Sequence, residues 1–217
     1  MIDSIDTILV PQGAEYQAVR RGLTQAGQPK IEIIAIPLGV DRREEYLDRE
    51  NLGQNLLVLG LCGGLSPQYA LGEPVIYRGC YSLEGNFLAT DTRLTEAIKK
   101  QLPQATVVNS LTSDRPICRA KEKLDLAQRY PTQVVDMEGY GCLQSLQNSD
   151  VAVAMVRVVS DDCLDDIPNL ELAIEDGKLN SSLLAIAMLR RPLAAIRLIQ
   201  GSLAGLKTLH QVAQCLR

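Results

Sequence analysis

A chain of 217 residues is long enough to bury one sizeable core, and 46% hydrophobic with 22% charged residues excludes a largely disordered protein. Six cysteines at 62, 80, 118, 142, 163 and 215, with no C-x-x-C pair and one histidine, exclude a disulfide framework or a zinc site and point to a reducing compartment. The net charge of −4 conceals an asymmetry: beyond Asp176 there are six cations and no Asp or Glu, leaving −10 on the first 176 residues. Such a tail meets something acidic, whether the protein's own body, a partner subunit or an anionic surface.

Met1-Ile2-Asp3-Ser4 lacks a basic region followed by an apolar run, and no apolar stretch of about 18 residues occurs, so a cytoplasmic protein without signal peptide or transmembrane helix is expected. Ile5 to Val10 reads as a strand, turned by Pro11-Gln12-Gly13 into a helix, Ala14 to Ala26, that Gly27 and Pro29 close. Ile31 to Ile36 is a second strand, and Asp41 to Asn51, charged throughout, an exposed helix or loop. Leu56 to Leu61 is a third strand running into Cys62-Gly63-Gly64-Leu65, where paired glycines permit close backbone approach. A hairpin-like meander spans Val75 to Ala89. Arg93 to Leu102 is a helix, Thr106 to Leu111 a strand, and Ala120 to Tyr130 a helix.

Val134-Val135-Asp136-Met137-Glu138-Gly139-Tyr140-Gly141 takes a short strand through two carboxylates into a helix, the kind of junction where ligands sit in open α/β sheets. Asp136 and Glu138 suit either hydroxyl recognition and proton chemistry or plain helix capping. Val151 to Val159 is the longest apolar strand, with the β-branched density of a central position, and ends at Ser160-Asp161-Asp162. The tail reads as two helices separated near Gly201, with Ile196, Ile199, Leu203, Leu206 and Leu209 forming an apolar stripe. Strands alternating with helices predict a three-layer α/β/α fold around a central mixed β-sheet, one domain over 1–217 with a basic helical extension over 178–217.

Carboxylates thus follow three strands: Glu15, the pair Asp136 and Glu138, and the pair Asp161 and Asp162. With Gly60-Leu61-Cys62-Gly63-Gly64-Leu65, Gly72-Glu73-Pro74-Val75-Ile76, Val135-Asp136-Met137-Glu138-Gly139 and Val156-Arg157-Val158-Val159-Ser160-Asp161, in that order, the chain resembles the nucleoside phosphorylase and nucleosidase superfamily. That superfamily includes purine nucleoside phosphorylases and methylthioadenosine/adenosylhomocysteine nucleosidases. The resemblance implies cleavage of the N-glycosidic bond of an adenosine-type purine nucleoside. Such a reaction leaves positive charge on the sugar and negative charge on the base, so it needs an acid and sugar-holding groups. By motif position Asp161 is the acid toward N7, Glu138 binds ribose hydroxyls, and Met137 packs on the sugar. Cys62 and Gly63 line base and ribose, Ile117 contacts the base, and Glu15 orients an attacking water.

No metal or other cofactor is implied. Phosphate is a candidate co-substrate, with Arg20, Arg42 and Arg115 as available cations, and the choice between phosphate and water stays open. Leu61 and Pro116 stand where nucleosidases usually have a small or polar and an aromatic residue, which tells against methylthioadenosine. Ile36-Pro37-Leu38-Gly39-Val40 keeps a trace of the usual glycine-rich turn. The run from Asp161-Asp162-Cys163 to Ile167-Pro168, then Asp176-Gly177 and Leu189-Arg190-Arg191-Pro192, resembles the ending of hopanoid-associated phosphorylases, thought to remove adenine from adenosylhopane. A lipid-linked adenosine, with peripheral membrane contact through the tail, is the corresponding expectation; packing of the tail on the body is the simpler one. The family also implies a homo-oligomer and gives no reason to expect nucleic acid. The alternative function is a catalytically silent nucleoside-binding or assembly protein that retains the fold.

Overall fold

The computed structural model describes residues 5–28, 30–39, 52–175 and 178–216. The chain begins with β1 (Thr7–Pro11), α1 (Ala14–Gln25), β2 (Glu32–Ile36) and β3 (Asn55–Gly64), then forms the antiparallel hairpin of β4 (Pro74–Tyr81) and β5 (Phe87–Ala89). After it come α2 (Thr92–Gln101), β6 (Thr106–Thr112), α3 (Ala120–Arg129), β7 (Val134–Asp136), α4 (Gly139–Leu146) and β8 (Ala152–Asp161). A 3₁₀ turn at Glu171–Ala173 and the small hairpin of β9 (Ile174–Glu175) and β10 (Lys178–Leu179) lead to α5 (Ser181–Arg190) and α6 (Pro192–Cys215). The expectation for Asp41 to Asn51 lies outside the described residues.

Side-chain alternation at period two gives the sheet two apolar faces. Leu57 and Leu59 of β3, with Ala154, Val156 and Val158 of β8, meet Val19 and Leu23 of α1, Leu94 and Ile98 of α2, and Leu209 and Val212 of α6. Leu56 and Val58 of β3, with Val153, Met155 and Val159 of β8, face Tyr77 of β4 and Cys142, Leu143 and Leu146 of α4. Burying each such side chain contributes about 1.5–3 kcal/mol, which is why β8, buried on both faces, takes the centre. The result is the mixed α/β architecture that the alternation predicts.

The sheet is also curled, which the sequence pattern does not reveal. β8 pairs in parallel with β3 and antiparallel with β4, β4 continues to β6 and β7, and β7 returns to β3 through Gly63 and Gly64. Five strands therefore close on themselves, while β1 and β2 extend in parallel from β3. The C-terminal ends of β1, β2, β3 and β8 lie on one side, and a register shift between Cys62 and Gly63 sets a bulge where β8 reaches Ser160 and Asp161.

Two expectations for the tail need correction. The helices part at Arg191-Pro192, where proline occupies the first turn of α6, and not at Gly201. Gly201 sits inside α6, and a Cβ there would overlap the Ser160 carbonyl oxygen: the glycine marks contact with β8. Nor does the apolar stripe uniformly face inward. Ala194, Ala195, Leu198, Gly201, Gly205, Leu209, Val212 and Ala213 are buried, whereas Ile196, Ile199 and Leu203 are exposed. Glycine is required on the inner face at Gly201 and Gly205, where the helix approaches Ser160 and Leu61 too closely for a side chain, while Leu198, Leu209 and Val212 fill the wider part. Two tail cations meet the protein's own body, Arg191 with Asp166 at 3.0 Å and Arg197 with Asp165 at 3.1 Å. Among the described residues, no helix is long and apolar enough to cross a membrane.

Candidate active site

The strand ends enclose a cleft of about 220 Å³. Its wall contains every residue singled out by motif: Glu15, Cys62, Gly63, Ile117, Met137, Glu138 and Asp161. Leu61, Pro116 and Arg115 share it, and α6 adds Leu198 and Ser202. Arg20 is exposed on α1 and is not part of this wall, and Arg42 lies outside the described residues.

Beneath the floor, outside the cavity lining, lies Arg157, an interior residue of β8 on the same face as Met155 and Val159 and fully buried. Its Nη2 stands 3.2 Å from Asp136 Oδ2 and 3.4 Å from Glu138 Oε2. Burial works to lower its pKa, but Asp136, Glu138, Tyr77 and Glu15 more than offset this, so the guanidinium is held above the usual arginine range. The sequence supplied Arg157 only as part of a motif. A charged residue inside an otherwise apolar β-branched strand was the available signal, since such a position demands buried partners.

The two carboxylates of the 134–141 segment separate by environment. Asp136 accepts from Thr112 Oγ1 at 2.8 Å and from the Gly139 N–H at 3.1 Å, fixing the start of α4. Glu138 makes no capping bond to α4; its Oε1 accepts the Gly39 N–H at 3.1 Å across 99 residues of sequence. Capping therefore accounts for one carboxylate and leaves the other turned into the cleft.

Glu15 accepts the Leu61 N–H at 2.6 Å. Burial first, and then the charge of Glu138, push its carboxyl up to about 7, against the opposing pull of Arg157 and of the Leu61 N–H. The site therefore holds a carboxyl group that changes protonation near neutrality. The Cys62 thiol is pushed far upward, chiefly by burial, so it lines the cleft as an unreactive side chain.

Asp161 also lines the cleft, its side chain 13% exposed. Ser160 Oγ donates to its Oδ1 at 2.8 Å, and Lys123 Nζ is ion-paired to its Oδ2. Gly63 leaves room for this carboxylate: a Cβ there would stand 2.9 Å from Asp161 Oδ2. Asp162 turns away and accepts the Leu164 N–H at 3.0 Å, a turn-capping role. Lys123 escaped sequence reading because Lys121 and Lys123 together look like a solvated helix face. Among the described residues, no group of His, Cys, Asp or Glu is arranged to hold a metal ion.

A curled mixed sheet with carboxyl groups gathered at its strand ends is the arrangement of an enzyme of the nucleoside phosphorylase or nucleosidase class. The family model described as Phosphorylase superfamily matches residues 51–191, and the chain belongs to that superfamily. None of the curated proteins matches it significantly in sequence. Among solved structures it is similar to the futalosine hydrolase of Helicobacter pylori strain 26695, with a TM-score of 0.71, 12% identity, and 98% of this chain and 96% of that one covered. A 5′-methylthioadenosine/S-adenosylhomocysteine nucleosidase from the same organism gives a TM-score of 0.70 at 12% identity, covering 97% of each chain. The corresponding nucleosidase from Neisseria meningitidis, bound to methylthio-immucillin-A, gives 0.68 at 14%, covering 98% of this chain and 100% of that one.

Proposed function

We propose that the protein hydrolyses the N-glycosidic bond of an adenosine-type nucleoside. The observation that carries this reading is the presence, in the wall of one cleft, of two carboxyl groups in unlike settings: Glu15, raised to about 7, and Asp161, tied to Lys123 and Ser160. Enzymes divide acid and base work between such pairs. Glu15 takes a proton from water as the water attacks the sugar carbon. Asp161 donates to N7 of the base, whose ring receives the electron pair of the breaking C–N bond. Glu138 accepts hydrogen bonds from ribose hydroxyls, Met137 packs against the sugar, and Cys62, Gly63 and Ile117 border sugar and base.

Water is favoured over phosphate by charge. Glu15, Asp136 and Glu138 cluster on one side of the cleft, Arg157 is already engaged by Asp136 and Glu138, and Arg115 Nη2 pairs with Glu122 at 2.5 Å. A phosphate dianion on that side would face carboxylates. The similarity to hydrolases points the same way.

The 5′ substituent in this reading is apolar and lipid-linked, as in adenosylhopane. Leu38, Leu61, Pro116, Ile167, Leu170 and Leu198 supply the apolar lining of the cleft that such a substituent would meet. α6, which contributes Leu198, exposes Leu193, Ile196, Ile199 and Leu203 elsewhere on its surface, beside Leu189 of α5. With no acidic residue from Gly177 onward, this apolar surface suits an anionic lipid layer.

The test is direct. Adenosine, 5′-methylthioadenosine and a lipid-linked adenosine are incubated with and without phosphate, and adenine and the sugar product are measured. Phosphate-independent release of adenine and free sugar is expected, fastest from the lipid-linked compound. Ribose 1-phosphate as product sinks hydrolysis, and no adenine from any compound sinks the catalytic reading.

A further inference from the structure

α3 carries a charged residue on the inner face where Leu126 and Ala127 pack against the core. Its buried residue is Lys123, while the neighbouring Leu124 is 42% exposed. An ammonium group with no exposure costs several kcal/mol to desolvate, and an apolar side chain would serve packing better. What the inward position provides is a contact: Nζ pairs with Asp161 Oδ2 and donates to the Asp162 carbonyl oxygen at 2.6 Å. The thiols of Cys118 and Cys163, which also feel Lys123, are both pushed upward by burial and stay neutral.

The helix that presents Lys123 is fixed from two directions. Asp166, in the loop after β8, accepts the Ala120 N–H at 2.9 Å at the first turn of α3. Glu122 binds Arg115 in the segment leading to Pro116 and Ile117 of the cleft wall. Lys123 therefore lies behind Asp161, on the side away from the cavity; Asp161 lines the cavity and Lys123 does not.

We propose that Lys123 is the positioning residue and proton reserve of Asp161, an inference that rests on Asp161 acting as the acid. As the C–N bond breaks, its electron pair passes into the purine ring and N7 takes the proton of the Asp161 carboxyl. Lys123 Nζ supplies that proton to Asp161 and becomes a neutral amine, while the attacking water gives its own proton to Glu15. Charge is conserved: one ammonium and one carboxylate become an amine and a carboxylic acid, and Asp161 ends as it began. Once the base has left, Lys123 is recharged through Asp161, which faces the emptied cleft.

The experiment compares two leaving groups. A 4-nitrophenyl β-D-ribofuranoside releases a stable phenolate that needs no proton, whereas adenine does. Lys123→Met is expected to lower kcat for the adenosine-type substrate by about 100-fold, the lower end of general acid catalysis, and for the nitrophenyl riboside by less than about threefold. Asp161→Asn should show the same selectivity, and Lys123→Gln serves as the second variant if the Met protein does not fold. Equal losses on both substrates would make Lys123 structural and overturn the proposal. Selectivity in Asp161→Asn but not in either Lys123 variant overturns it while leaving the acid assignment standing. No selectivity in any variant, or no cleavage by the unaltered enzyme, removes the acid reading and the proposal with it.

Discussion

Gly60 and Arg157 occupy one volume between them: a Cβ on residue 60 would overlap Arg157 Nη1 and stand 3.0 Å from Glu15 Oε1. β3 and β8 pair at this level, with Gly60 opposite Arg157, so the backbone cannot draw apart without breaking the ladder. The guanidinium that neutralises the carboxylates of the floor therefore depends on a missing side chain in the adjacent strand.

Gly60→Ala should displace Arg157 and leave buried carboxylates uncompensated. A loss of about 3–5 kcal/mol, the range for breaking a buried ion pair, is expected in urea unfolding, together with loss of activity. Near-normal stability in the alanine protein would contradict the packing relationship.

Glu15 predicts opposite pH effects on rate and stability. Activity should rise as pH passes about 7 and the carboxylate forms. Because its folded pKa is raised from 4.5 to about 7, the folded state holds the proton more tightly than the unfolded chain does. Its favourable contribution is complete below pH about 4.5 and is lost as pH rises through about 7. Glu15→Gln should therefore be more stable than the unaltered protein above pH 7, by up to about 3 kcal/mol, while losing at least about 100-fold in kcat. Thermal unfolding across this pH range checks the sign; a variant less stable at pH 8 refutes the burial argument.

Glu138 should couple to the sugar hydroxyls. Replacing ribose by deoxyribose in the substrate is expected to cost the unaltered enzyme about 10–100-fold in kcat/KM, the worth of a hydrogen bond to a charged group. In Glu138→Gln the same change should cost far less. Equal discrimination by both proteins would remove Glu138 from the sugar site.

The apolar surface of α5 and α6 predicts binding to anionic vesicles. Leu189 and Leu193 are 81% and 71% exposed, so Leu189→Glu and Leu193→Glu should reduce co-sedimentation by about tenfold together, without altering the cleavage of a water-soluble nucleoside. No vesicle binding by the unaltered protein excludes the lipid surface. Dimerisation abolished by the same substitutions would assign this face to a second copy.

The sequence located the strand ends well because each carries a double signature, an apolar run followed by glycine or carboxylate. Glu15, Cys62, Gly63, Ile117, Met137, Glu138 and Asp161 accordingly meet in one cleft although 146 positions separate the first from the last. Their burial environments were not legible. Lys123 looks solvated in sequence because helix periodicity cannot tell an inward charge with a distant partner from an outward one. The ring closure through β7 involves Val134 and Val135 opposite Gly64 and Gly63, too short a pairing for any pattern of alternation to announce. Gly201 misled for a different reason: glycine ends helices and also admits close neighbours, and here the second use applies.

The position of α6 has a consequence for how the protein is made. Leu209, Val212, Ala213 and Leu216 belong to the same cluster as Ile8, Val10, Val19 and Leu23, so residues near the two ends of the sequence share one core. During synthesis, β1 and α1 leave the ribosome well before α6 and must wait for more than 160 residues before the helix that covers them emerges. Until then that face of the sheet is open, and so is the contact of Gly201 with Ser160 beside the acid. Chaperone demand should therefore fall most sharply when residues 192–216 clear the exit, rather than when the sheet itself is complete.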